Sequence, residues 1–446
     1  MRVAIRAGTR GCVTARVDDV GGRPAVVLEI DPSDRKGALS SDDGESIAIA
    51  AHTALAERIP LVGYIASSGA DIVEGMAALH GWGLAARALA DCSGIVPIVL
   101  AVTGPAVSGP ALLLGLADLV VMTSDAYAFV SGPTMVTEFT GVRIDSAELG
   151  GAHVHARHTG AASLVVDDVD AAREMVGLLL SYLPAHADQT APRWPTDDPP
   201  DRLTPEAGEL LPSASSGSYD VRSVIACIVD EGDLLELRPR WAPNLVTGFA
   251  TVAGQPVGIV ANQPIAVAGT LDIPSSQKGA RFVGFCDAFN LPIITLVDTS
   301  GFYPGKDLEW RGMIRHGAQL AFAYARATVP RICVILRKSY GGAYIVMDSK
   351  NMGNDLCLAW PTAELAVMGA KGAIEILHRR ATPDERFQLE ADYEERFLNP
   401  FIAAERGYVD AVIEPAQTRA EIARALAMLD SKQEAIVGRK HDNSPL

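Results

Sequence analysis

Apolar residues run almost unbroken through "PRICVIL" (330–336). In "KSYGGAYIVM" (338–347) two adjacent glycines then stand before the next apolar run. A short run of apolar and β-branched residues bounded by turn formers predicts a buried strand. Glycine inside an element costs about 0.5–1 kcal/mol, so Gly341 and Gly342 predict a sharp turn or a close approach to the backbone. Upstream, "GQPVGIVANQ" reads as a strand, "SSQKGARFVGFCDAF" as a helix and "PIITLVD" as another strand. This alternation predicts the α/β class, a sheet with crossover helices.

The same pattern occurs twice. "CVTARVDDVGGRPAVV" (12–27) resembles "LVTGFATVAGQPVGIV" (245–260), and "IPLVGYIASSGA" (59–70) resembles "LPIITLVDTSGF" (291–302). A third pair matches "VPIVLAVTGPAVSGP" (96–110) with "VPRICVILRKSYGGA" (329–343), and all three share an offset of 232 or 233 residues. Collinear matches at one offset predict two copies of one domain. Residues 1–190 form the first and 219–446 the second. The Pro-, Ser- and Asp-rich stretch 191–218 between them breaks every period, as a linker does. The second copy adds a charged helical insertion, "ATPDERFQLEADYEERFLNPF" (381–401), predicted to present a solvated face.

Composition narrows the class without naming it. The chain has 446 residues, 48% hydrophobic, with a net charge of −16. No Lys/Arg stripe offers a nucleic-acid backbone a surface. No apolar stretch reaches the length of a membrane span, and the N-terminal residues lack the apolar core of a signal peptide. The expectation is a soluble, cytoplasmic protein. Six cysteines stand at 12, 92, 227, 286, 333 and 357 without CxxC spacing, consistent with buried thiols in a reducing compartment. His153, His155 and His158 cluster in "HVHARH", but no carboxylate or cysteine completes a ligand set, and no metal is expected. "GFYPGK" (301–306) is too short for a P-loop.

A strand that turns at small residues into a helix leaves N–H groups free to hold a developing oxyanion. "SYGGAY" offers the amides of Gly342 and Ala343, and "AVSGPA" places Ser108 and Gly109 at the corresponding position of the first copy. A tight turn needed only for packing would read the same way. Its recurrence after the same strand in both copies favours a pair of cradles. Two further strand ends match, "SSGADIVEG" (67–75) and "DTSGFYPG" (298–305), so Gly69, Ala70, Gly301 and Phe302 join the candidates.

Several stretches resemble the carboxyltransferase (beta) subunits of biotin-dependent acyl-CoA carboxylases, of the propionyl-CoA and acetyl-CoA carboxylase type, in the crotonase-like superfamily. They are "YDVRSVIACIVDEG", "WAPNLVTGFATVAGQPVGIVANQP", "GFYPGKDLEW", "RKSYGGAYIVM", "LAWPTAELAVMGAKGAIEILHRR", "NPFIAAERGYVDAVIEP" and the ending "NSPL". The resemblance covers most of the chain and is strongest over 219–446. It implies two repeated ββα-superhelix domains, the first binding acyl-CoA and the second binding carboxybiotin carried by a separate protein. It also implies a homo-oligomer, a hexamer, in which two subunits complete each site. Gly342 and Ala343 would then hold the biotin ureido oxygen, and Ser108 and Gly109 the thioester oxygen. Tyr344 and Ile345 would lie against substrate, Ile345 at a position where family members tune acyl-chain choice. No biotinylation motif or ATP-binding region is visible, so a biotin carboxylase and a biotin carboxyl carrier partner are required.

The first copy departs from the family pattern. Where members read "DSGGARIQEG", this chain places Ala66, Ser68, Asp71 and Val73, and "GPCAGGA" becomes "GPAVSGP". Pro110 aligns with Ala343 and has no N–H. Three functions stay open: carboxyl transfer to an acyl-CoA, the reverse reaction in a decarboxylase or transcarboxylase, and a divergent structural subunit with a degenerate acyl-CoA site.

Overall fold

The computed structural model describes residues 4–5, 11–214, 217–435, 438 and 440–445. Residues 215 and 216 of the linker stretch and the last residue of "NSPL" therefore lie outside the described residues. The chain divides into two compact units, Met1–Pro192 with Ala288–Asn290, and Arg193–Asp287 with Leu291–Leu446.

Each unit is built on an eight-stranded mixed sheet. In the first, the strands run in the order Ala4–Ile5, Val13–Val20, Arg23–Ile30, Leu61–Ser67, Ile98–Val107, Leu119–Thr123 and Leu164–Val166, with Tyr127–Phe129 pairing with the last three residues of Ile98–Val107. In the second, Leu235–Leu237, Leu245–Val252, Gln255–Asn262, Ile293–Thr299, Arg331–Tyr340, Leu356–Ala359 and Ala411–Val412 repeat that order, and Glu364–Ala366 repeats the extra strand. The hairpins at the start of each sheet are antiparallel and the strands after them parallel. Parallel pairing needs crossover helices, and these account for the alternation in the sequence. The α/β class and the duplicated fold are both as expected.

Two of the strands that end at candidate residues, Leu61–Ser67 and Ile293–Thr299, are buried along their whole length. A strand covered on both faces has no polar side to display, so its sequence reads as one apolar run. Helix Ser41–Glu57 starts at a capping box in which Ser40 and Asp43 exchange hydrogen bonds, while Asp43 also accepts the Val13 N–H at 3.0 Å. It packs on helix Met76–Cys92 where Gly44 meets Gly81, so close that a Cβ on Gly44 would lie 2.1 Å from the Gly81 carbonyl carbon.

Residues 193–214 pack into the second unit. Thr204 and Ala207 are fully buried there, and Arg202 pairs with Asp198 at 2.6 Å. Arg419, itself fully buried, donates to the Pro199 and Ile228 carbonyls at 3.0 and 2.7 Å and to Asp230 at 2.7 Å. The charged insertion forms helix Pro383–Phe397, opened by a Thr382/Glu385 capping box and carrying no buried residue.

Candidate active site

In the second unit, strand Arg331–Tyr340 runs directly into the six-residue helix Gly341–Val346. Gly341 takes φ +59°, a value that L side chains rarely adopt, and a Cβ there would also lie 3.1 Å from the Val367 carbonyl oxygen. The side chain of Tyr340, at the helix start, makes no capping hydrogen bond among the described residues. Among the described residues no hydrogen bond engages the N–H of Gly342 or Ala343. Gly342 is exposed and Ala343 fully buried, so the Gly342 residue stands at the surface on the buried footing that Ala343 provides.

Gly301 and Phe302 are brought to the same place. A Cβ on Gly342 would rest 3.4 Å from the Phe302 ring, and the other edge of that ring faces Gly317. Tyr344 is half-buried, and burial holds its hydroxyl well above the usual phenol range, so it stays protonated. Ile345 is 47% exposed on the outer face of the helix, where a ligand can reach it.

Polar supports hold the turn from behind. Tyr340, the residue before Gly341, hydrogen-bonds Glu364. Arg337 donates to Asp298 at 3.0 Å and to the Gly217 carbonyl at 2.8 Å, and its guanidinium stacks over Tyr219. Asp298 also accepts the Lys338 N–H at 3.2 Å, tying one strand end to the next. Burial pushes the Asp298 carboxyl up, and the Arg337 guanidinium pulls the other way.

The first unit repeats the turn with different chemistry. Strand Ile98–Val107 leads through Ser108 into helix Gly109–Leu114. Ser108 has φ 61°, almost the value of Gly341, which confirms the register of the duplication at this point. The Ser108 N–H donates to the Phe129 carbonyl at 2.9 Å and is spent. Pro110 has none to give. Of the three residues at the turn, Gly109 has an amide that meets no acceptor among the described residues. Gly69 and Ala70 stand beside it, for a Cβ on Gly69 would lie 3.3 Å from the Val107 carbonyl oxygen and 3.8 Å from the Ser108 Cβ. A small cavity of about 150 Å³ opens here, lined by Ala70, Ser108 and Gly109 among others.

A serine held at a glycine conformation stores strain. Ser108→Gly is expected to relieve about 1–3 kcal/mol of it. That outweighs the roughly 0.5–1 kcal/mol lost to the more flexible unfolded chain. The net is a rise of a few degrees in the thermal midpoint, read by calorimetry; a fall would show that Ser108 is unstrained.

The unusual residues of the first unit have structural explanations. Asp71 is buried and paired with Arg35, which also faces Asp43 and Asp34 at 3.6 and 3.7 Å. Its charge is therefore answered within the unit and not turned on a ligand. Ala66 stands at the place of Asp298, and Gly104 at the place of Arg337. A Cβ on Gly104 would come within 3.2 Å of the Ala66 Cβ, leaving no room for an ion pair. Small apolar packing has taken its place, an exchange that is often neutral in stability.

Sequence reading missed the Asp298–Arg337 pair, whose signal was a basic residue inside the apolar run "VILRKS". The histidine cluster is held locally, His155 lying 2.9 Å from the Thr159 hydroxyl and 2.8 Å from the Ala128 carbonyl oxygen. Among the described residues no three His, Cys, Asp or Glu side chains are gathered in metal-binding geometry. Among them, too, no helix is long and apolar enough to cross a membrane.

The two turns follow one plan at one register, and that plan is matched by a known family along nearly the whole chain. The model of the carboxyl transferase domain fits residues 6–444. The chain belongs to the carboxyl transferase family. It is an enzyme of that class. The propionyl-CoA carboxylase beta chain of Roseobacter denitrificans is 43% identical over 431 residues, 96% of this chain and 84% of the relative. The methylmalonyl-CoA decarboxylase subunit alpha of Veillonella parvula is 40% identical over 428 residues, with the same coverages of 96% and 84%. The crystal structure of transcarboxylase 12S, a hexamer with methylmalonyl-coenzyme A and methylmalonic acid bound, superposes with a TM-score of 0.97. It is 38% identical and covers all of this chain and 90% of its own.

Proposed function

We propose that this carboxyltransferase moves a carboxyl group between carboxybiotin, borne by a separate carrier protein, and the α-carbon of a short acyl-CoA. The observation that carries the reading is the pair of amides at Gly342 and Ala343, which lack a partner among the described residues and stand beside a glycine whose missing side chain keeps the approach open. A ureido carbonyl fits such a turn, because it needs two donors and no bulk over them.

Carboxybiotin supplies the carboxyl as CO2 and the base for the α-proton. The chain's own part is electrostatic. Gly342 and Ala343 would hold the ureido oxygen as negative charge gathers on it, and Tyr344 and Ile345 would flank the ring. In the first unit the Gly109 amide would hold the thioester oxygen as the α-proton leaves, with Gly69, Ala70 and Ser108 shaping the approach. The balance is carboxybiotin plus acyl-CoA giving biotin plus carboxyacyl-CoA. No side-chain base is required of the protein, consistent with two turns whose useful groups are backbone donors.

The assignment of residues 1–190 to acyl-CoA and 219–446 to biotin belongs to this proposal. So do the biotin carboxylase and carrier partners, a hexamer of this chain in solution and a cytoplasmic location. Likeness to a decarboxylase subunit and to a transcarboxylase supports the reverse direction equally. The purified chain is therefore tested in that direction, with free biotin and methylmalonyl-CoA or malonyl-CoA, by following the decarboxylated product. Biotin-dependent turnover is expected. A folded chain inert toward both would sink the proposal and leave the degenerate-subunit reading.

A further inference from the structure

The first unit's turn has spent one donor on Phe129 and lost another to Pro110, yet a side-chain donor stands beside it. Trp82 lies in helix Met76–Cys92, one residue after the glycine that lets this helix press on its neighbour. Its indole Nε1 is buried and has no hydrogen-bond partner among the described residues. Trp82 lines the 150 Å³ cavity together with Leu39, Ala70, Leu79, Gly109 and Leu112. At about 30 Å³ for each water-sized group, that volume takes roughly five non-hydrogen atoms. A carbonyl with a short alkyl chain is of this size.

The indole nitrogen also lies near the Gly109 amide, which has no partner among the described residues. A Cβ on Gly109 would fall 2.8 Å from Trp82 Nε1. A Cβ sits about 2.5 Å from its own nitrogen, so the two nitrogens lie within about 5.3 Å of each other. One oxygen about 2.9 Å from each donor can accept from both at that separation. Buried N–H groups almost always have a partner, and the other walls of this cavity are largely apolar.

The geometry points to Trp82 as the second hydrogen-bond donor to the thioester oxygen of acyl-CoA, acting with the Gly109 amide in the place that Pro110 leaves empty. This rests on the acyl-CoA reading of the first unit. As the α-proton leaves and charge moves onto that oxygen, the indole N–H shortens onto it and gives up no proton. The same ring walls the cavity and restricts it to short acyl groups.

The test compares the wild-type chain with Trp82→Phe and with a chain carrying 3-benzothienylalanine at position 82, which keeps the shape of the bicycle and replaces N–H by sulfur. All three are assayed for biotin-dependent decarboxylation of methylmalonyl-CoA. Loss of one preorganised donor is expected to lower kcat by about 10²-fold in both variants. The KM for free biotin is expected to stay within about threefold of wild type. A folded variant that keeps kcat within about threefold, or that changes only the KM for acyl-CoA, overturns the assignment and reduces Trp82 to packing. Should Trp82→Phe not fold, the isosteric variant decides alone. Turnover by wild type with no response at position 82 rejects this inference only, whereas a wild type inert on every acyl-CoA rejects the acyl-CoA reading beneath it.

Discussion

Ala343→Pro is expected to leave the second unit folded and to slow carboxyl transfer by about 10²- to 10³-fold, the usual effect of removing one oxyanion donor. The first unit supplies the reason to expect folding. Pro110 occupies the matching place, buried in the first turn of helix Gly109–Leu114 and following Gly109 as Ala343 follows Gly342. A proline in a first helical turn gives up only an N–H that has no intrahelical partner. The substitution thus deletes a donor and little else. Ala343→Ser, which keeps the amide, serves as control for crowding at this fully buried position. Biotin-dependent decarboxylation of methylmalonyl-CoA gives kcat, and circular dichroism reports the fold. A folded Ala343→Pro chain with near-normal kcat would remove this amide from the mechanism.

Arg419→Ala is expected to destabilise the protein by about 3–5 kcal/mol, the cost of leaving a buried charge unpaired. Arg419 is fully buried, and Asp230, which it meets at 2.7 Å, is 1% exposed. Asp230 cannot turn outward, because its two oxygens also accept the Ala253 and Gly254 N–H groups at 2.9 and 2.8 Å. The remaining guanidinium bonds clamp residues 198 and 199 onto the helix at the far end of the chain. The result is read as a lowered urea midpoint. The double change Arg419→Met with Asp230→Asn recovers part of the loss, since no uncompensated ion remains and the Asn carbonyl still accepts one of the two N–H groups. An unchanged midpoint in Arg419→Ala would mean that water reaches the pair.

Much of the architecture was legible because two physical periods were written plainly. Strands buried on both faces appear as apolar runs, and an offset of 232 or 233 residues repeats them. The charged insertion forms the helix that its sequence predicts, Pro383–Phe397, with no buried residue. The turns were legible through the duplication, since a small-residue turn that recurs after the same strand in both copies is more than a packing turn would require. Less visible was which amides remain free. Ser108 reads as a donor in the sequence, but the crossing strand Tyr127–Phe129 claims its N–H, a contact fixed by pairing across some twenty residues.

The departures in the first unit illustrate the same divide. Asp71 stands where the family pattern has an arginine, and a cation 36 residues away in the chain answers its charge. Ala66 looked like a lost acid, and Gly104 shows that its partner is missing as well. Trp82 gave no signal at all. A tryptophan on an amphipathic helix reads as core, and nothing local says that its nitrogen will meet no acceptor.

The sequence by itself determined the α/β class, the duplication, the family likeness and the places where backbone could serve as chemistry. These follow from local patterning and composition, which a chain carries in its order of residues. Only the tertiary structure decided which donors are spent, which charges are paired and which side chain stands over each turn. Those outcomes depend on residues far apart in the chain arriving within hydrogen-bonding distance, and spacing along the sequence does not encode that distance.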